Sequence, residues 1–229
     1  MTMASGIFTV LCTLVLPLGV SLYLCCCKKR LLKPVLLGAA TFFVFQMLIR
    51  IPLIQLVLPN MQWYLKLEVS QPLFHALFLG VTAALAEELG RYFVMTMLLK
   101  KNRRIEDGIA FGVGHGGIEA ILLVGINTLF TVILSPASIA PGLMFACGIE
   151  RLAAMAIHVG WSVMVMKSIR EKKIRWLFLA LFTHTIIDCG VSYASNQGLS
   201  IWIIEGFVLL CAAIGILFVI KQNKTKENV

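Results

Sequence analysis

The chain repeats one pattern seven times: an apolar run long enough to cross ~30 Å of hydrocarbon as a helix, closed by a short polar or basic stretch. The runs cover residues 5–27, 34–58, 72–99, 108–134, 143–168, 175–195 and 200–220. Short connections predict antiparallel packing of successive helices, and no stretch between runs is long enough for a second domain. Residues 1–229 therefore read as a single all-α, polytopic integral membrane domain.

Composition agrees: 59% of residues are hydrophobic and 14% charged, against ~25% charged in soluble domains. The charge is lopsided. Lys28, Lys29, Arg30 and Lys33 follow the first run, and Lys100, Lys101, Arg103 and Arg104 follow the third. Lys167, Arg170, Lys172, Lys173 and Arg175 follow the fifth, and Lys221, Lys224 and Lys226 the last, whereas Lys66 is the sole loop cation on the other side. The positive-inside rule then puts the N-terminus outside and the C-terminus in the cytoplasm. The net charge of +9 is thereby a topology signal resting on anionic headgroups, and a nucleic-acid partner is excluded for want of a folded basic surface.

The first run lacks a basic segment before it, so it is expected to insert as a helix and not to be cleaved. Cys25, Cys26 and Cys27 close this run as small apolar residues or as lipidation sites. The other cysteines are single, so neither a disulfide framework nor a thiolate zinc site is indicated.

Ionisable residues inside the runs carry the chemistry, because holding them in a membrane must be offset by pairing or by use. Residues 86–95 read AEELGRYFVM, with Glu87, Glu88 and Arg91 in one span. Counting ~1.5 Å per residue from the basic ends puts these three with His115, Glu119, His158, His184 and Asp188 in one slab ~11–20 Å deep. Arg50, Glu150, Arg151 and Glu205 fall in the outer half and read as a separate ion-pair layer, with Arg50–Glu150 one partner set. His75 lies near an outer end. Within the slab Glu87–Arg91, His115–Glu119 and His184–Asp188 are each four residues apart, so each pair shares a helix face. An acid one turn from an imidazole can fix its tautomer or bind a metal beside it, and Glu119 is open to either role. The run GIAFGVGHGGIEA strips bulk from around His115, which admits either a substrate backbone or a facing helix.

Imidazoles with carboxylates suit zinc without cysteine: three ligands hold the ion, and a nearby glutamate relays the proton of an attacking water. No HExxH occurs. At this point EELGR at 87–91, FGVGH at 111–115 and HTIID at 184–188 resemble the glutamate-pair, FxxxH and HxxxD/N signatures of the CAAX-protease-like intramembrane peptidases. Together with Glu150–Arg151 and His158 they most resemble the bacterial YhfC branch, which is grouped with the PrsW proteases and the multi-pass scaffold subunit of gamma-secretase. The resemblance covers residues 72–195 and implies a CAAX-protease-like core bundle.

The resemblance implies Glu87 as the activator of water, Glu88 as its partner and Arg91 as their orienting cation. His115 and His184 would hold the metal or stabilise the oxyanion, with Asp188 acting beside His184. His158 is the third candidate ligand. The spacing EExxR departs from the EExxxR of the prenyl proteases, which loosens the role of Arg91. Asp188 replaces their asparagine, so prenylated substrates are not implied. The expectation is a zinc-dependent endopeptidase of a bacterial plasma membrane. It would cleave a membrane protein or peptide within or beside the inner leaflet; oligomeric state is left open. Against it stand a non-catalytic scaffold or substrate receptor and a proton-coupled transporter, although no internal symmetry supports the latter.

Overall fold

The computed structural model describes residues 2–138 and 140–227. The expected single domain thus includes Met1, Ile139, Asn228 and Val229, which lie outside the described residues, as does the side chain of Lys226. The order is α1 Met3–Cys27, α2 Lys29–Asn60, α3 Gln62–Ser70, α4 Pro72–Leu98, α5 Ile105–Leu134, α6 Pro141–Glu171, α7 Arg175–Asn196 and α8 Ile201–Lys224. All but the short α3 are long and apolar enough to cross a membrane. No strand occurs among the described residues.

Local chemistry sets the helix ends. Pro72 and Pro141 open α4 and α6, where a missing N–H does no harm. Lys172 ends α6 in the left-handed region at φ 54°. Asp107 accepts from the Arg104 backbone N–H at 2.8 Å, starting α5, and from Arg30 at 3.1 Å, which ties the α1–α2 turn to the α4–α5 turn. Lys167, near the end of α6, reaches Gln222 near the end of α8 at 2.5 Å. At the opposite end Thr9 donates to Met144 O at 2.5 Å and Phe8 stacks on Phe145. The spans therefore alternate in direction, and the Lys/Arg-rich turns share what is here termed the basic end.

The large apolar side chains Leu22, Phe178 and Leu217 point outward, as hydrocarbon requires of a spanning bundle. Burial singles out α6 as the axle: 72% of its apolar window is inside, against 39% for α4. The helix α5 lies between α2 and α6 at glycine contact. A Cβ on Gly114 would sit 2.0 Å from Val35 O, and one on Gly116 would meet Met155 Cα at 3.1 Å and His158 Cβ at 3.2 Å. Of the two uses open to the glycines around His115, the structure takes the second: they bring a facing helix, with His158, up to the histidine.

Four spans widen into π-helical turns: Leu11–Val15 in α1, Phe43–Arg50 and Leu53–Val57 in α2, Leu85–Leu89 in α4 and Ala120–Gly125 in α5. Such turns often mark functional sites, because the extra residue swings side chains out of the regular helical faces.

Candidate functional site

Glu87 and Glu88 both lie in the widened turn of α4 and are buried, and they serve opposite walls. Arg91, fully buried one turn on, bonds both: Nη2 to Glu87 Oε2 at 3.1 Å, and Nη1 to Glu88 Oε1. On the Glu87 side, His115 Nε2 from α5 lies 2.9 Å from Glu87 Oε2. His158 from α6 has Nδ1 2.7 Å from Arg91 Nη2 and 3.8 Å from Glu87 Oε2, with Nε2 2.5 Å from Glu119 Oε2. That last contact is short but lacks hydrogen-bond alignment, so Glu119 Oε2 has no aligned donor. On the Glu88 side, His184 of α7 has Nδ1 2.8 Å from Glu88 Oε1 and Nε2 3.4 Å from Asp188 Oδ2. Trp161 lies flat on the His184 ring at 3.9 Å, and its indole N–H donates to Thr183.

All eight candidate residues thus converge in one network, in two wings that Arg91 joins. One wing holds Glu87, His115, Glu119 and His158, with one ligand atom of each within 4.8 Å of the others. His184 is not in that set; it belongs with Glu88 and Asp188. His75 is remote, bonded to Tyr64 Oη at 3.0 Å where α3 meets α4.

The expected Arg50–Glu150 pair does not form. Arg50 donates to Leu79 O at 2.7 Å, Thr82 Oγ1 at 3.2 Å and Gln46 Oε1 at 3.4 Å. Glu150 pairs with its neighbour Arg151, which also donates to Glu119 Oε1 at 2.8 Å. Depth counting ignores rotation about each helix axis: Arg50 faces α4, and Arg151 faces α5. The supposed separate layer is continuous with the site. Gln46, absent from the charged candidates because it is neutral, donates to Glu87 Oε1 at 3.0 Å. Its position one turn before Arg50 in an otherwise apolar run was the available signal. Above the network lies a cavity of 300 Å³, lined by Glu87, Glu119, His158, His184, Asp188 and Arg151 among others.

Two observations test whether a cation fits. Five carboxylates (Glu87, Glu88, Glu119, Glu150 and Asp188) face three guanidiniums (Arg50, Arg91 and Arg151) around one cavity and its floor. The three guanidiniums leave two negative charges, to be met by a protonated His184 between Glu88 and Asp188 and by a bound cation. Further, His115 Nδ1, Glu88 Oε2 and Glu119 Oε2 are buried without hydrogen-bond partners. Nitrogen and oxygen donors of this kind suit zinc, whose ~2.0–2.1 Å bonds need ligand atoms roughly 3.3 Å apart, so side-chain shifts of about 1 Å close the set. Arg91 is the opposing element. Its bond to His158 Nδ1 leaves the ring proton on Nε2, so an ion at Nε2 displaces that proton and requires Arg91 to yield Nδ1. The residues fit a divalent ion on those terms.

A model of the family described as YhfC intramembrane metalloprotease matches residues 12–142 and 135–208. The uncharacterized membrane protein YhfC of Bacillus subtilis (strain 168) is 27% identical over 221 residues, covering 84% of this chain and 85% of that protein. No solved structure matches.

Proposed function

The chain belongs to the YhfC intramembrane metalloprotease family, and from that premise we propose that it is a zinc-dependent endopeptidase hydrolysing a peptide bond within a bacterial plasma membrane. The observation that carries the reading is the meeting of Glu87, His115, Glu119 and His158, drawn from three spans, with ligand atoms within 4.8 Å.

His115, His158 and Glu119 are the residues that would hold the ion, and Glu87 faces the same point as the base. This departs from the expectation that His184 is a ligand and promotes Glu119 in its place. A bound divalent ion supplies Lewis acidity, polarising a carbonyl and lowering the pKa of water toward ~7. Glu87 Oε2 takes the proton of the attacking water as its oxygen bonds to the carbonyl carbon. The same carboxylic acid then protonates the amide nitrogen as the C–N bond breaks. Gln46 fixes the other oxygen of this carboxylate, so Oε2 stays aimed inward. Arg91 bonds both carboxylates and holds them oriented. His184, held flat by Trp161 and backed by Glu88, is placed to donate from Nε2 to the developing oxyanion at the cavity floor.

The substrate is a membrane protein or peptide that reaches the bilayer interior; no nucleic acid takes part. The test uses purified protein in liposomes with a detergent extract of membrane proteins, and new fragment termini are identified by mass spectrometry. Chelation is expected to stop fragment formation and added zinc to restore it. Cleavage unaffected by chelator, after elemental analysis verifies the protein is metal-free, contradicts the metal-dependent reading.

A further inference from the structure

We propose that the site is entered from the half of the bundle remote from the basic end, and that its substrates present a polar, extended juxtamembrane segment on that side. This rests on the peptidase reading for the word substrate, but the route itself does not.

Side-chain exposure rises in one direction through the network. It is 0% at Arg91 and His115, 2% at His184, 12% at Glu119, 13% at Arg151, 26% at Glu150 and 39% at Asp188. On five helices the cavity continues away from the basic end. It runs from Gln46 to Arg50 on α2, from Glu87 to Leu79 on α4, from Glu119 to Leu123 on α5, from Trp161 to Glu150 on α6 and from His184 to Ser192 on α7. Toward the basic end the same helices close on a dry core of Met95, Leu99, Phe111, Val165, Met166 and Ile169, each at most 7% exposed. Water that hydrates Arg50, Glu150, Arg151 and Asp188 therefore has a polar path on one side and a packed plug on the other. Charged walls at membrane depth require such water.

The same walls define the guest. A cavity of 300 Å³ lies at the small end of ligand sites. It takes a short extended segment whose backbone can bond to the polar lining, in preference to an intact apolar helix. The expected cleavage within or beside the inner leaflet would then act on a segment delivered from the opposite side.

The experiment places one new thiol in the full-length chain by Ser192→Cys, with Asn196→Cys and Lys100→Cys as references for the two ends. A charged, membrane-impermeant maleimide is applied to spheroplasts and, separately, to inverted vesicles, and labelling is read at the substituted peptide by mass spectrometry. Ser192→Cys is expected to react in the same preparation as Asn196→Cys, about tenfold faster than in the other, since a thiol reacts only where water admits the reagent. Lys100→Cys should show the reverse. Reaction of Ser192→Cys alongside Lys100→Cys, or from neither side while Asn196→Cys reacts, overturns the proposal. Val191→Cys, on the same wall, serves if the first variant does not accumulate. Labelling needs no proteolysis, so repeating it in Glu87→Gln separates failure of the route from failure of the peptidase reading.

Discussion

Glu87→Gln is expected to lower peptide-bond hydrolysis by a factor of about 10²–10⁴, the range removed with a positioned general base. The substitution keeps the volume of the side chain and one oxygen. Gln46 can still donate to that oxygen, and Arg91 retains Glu88. What is lost is the group that accepts the proton of water and returns it to the leaving amine. The fold should survive, because removing one of five carboxylates from a net-negative pocket relieves repulsion as well as breaking the Glu87–Arg91 bond. Fragment formation in liposomes, together with thermal unfolding in detergent, checks both parts. Undiminished cleavage removes Glu87 from the chemistry, and collapse of the protein makes its role structural.

Arg91→Met carries the largest expected effect on stability. The guanidinium is fully buried and touches Glu87, Glu88 and His158 at once. Methionine fills much of its volume but leaves the two carboxylates, on their opposite walls, without the cation that joined them. Breaking a buried ion pair by removing one partner costs about 3–5 kcal/mol, so a large fall in apparent melting temperature should follow. Arg91→Lys retains the charge and reaches one carboxylate at a time, so it should fall between the two. Equal stability of wild type and Arg91→Met in detergent contradicts the pairing described here. The double variant Glu88→Gln with Arg91→Met should recover part of the loss, since it removes a charge the methionine strands.

The spans were legible because a helix in hydrocarbon must satisfy its backbone internally, and only long apolar runs do so cheaply. Their ends moved by a few residues where polar caps such as Asp107 extend a helix beyond its apolar run. Candidate residues were legible for the same reason: a charge inside such a run stands out. Partnership was not. Residues at equal depth can face any neighbour, so depth alone puts Arg151 in a structural layer although it bonds Glu119. Neutral Gln46 is hard to see in the sequence because hydropathy registers charge more strongly than hydrogen bonding. The widened turns in α2, α4 and α5 leave no spacing signature in residues that all favour helix. The adjacent Glu87 and Glu88 serve different walls because successive helical side chains point about 100° apart.

The measurement that bears most directly on the central claim is metal content per chain, by elemental analysis of protein purified without chelator. One equivalent of zinc or a similar divalent ion is expected in the wild type. It should be lost in His115→Ala and in His158→Ala and retained in His184→Ala, since His184 stands outside the four-residue set. A wild-type protein that stays metal-free after zinc is supplied, or one whose metal persists in both His115→Ala and His158→Ala, contradicts the account.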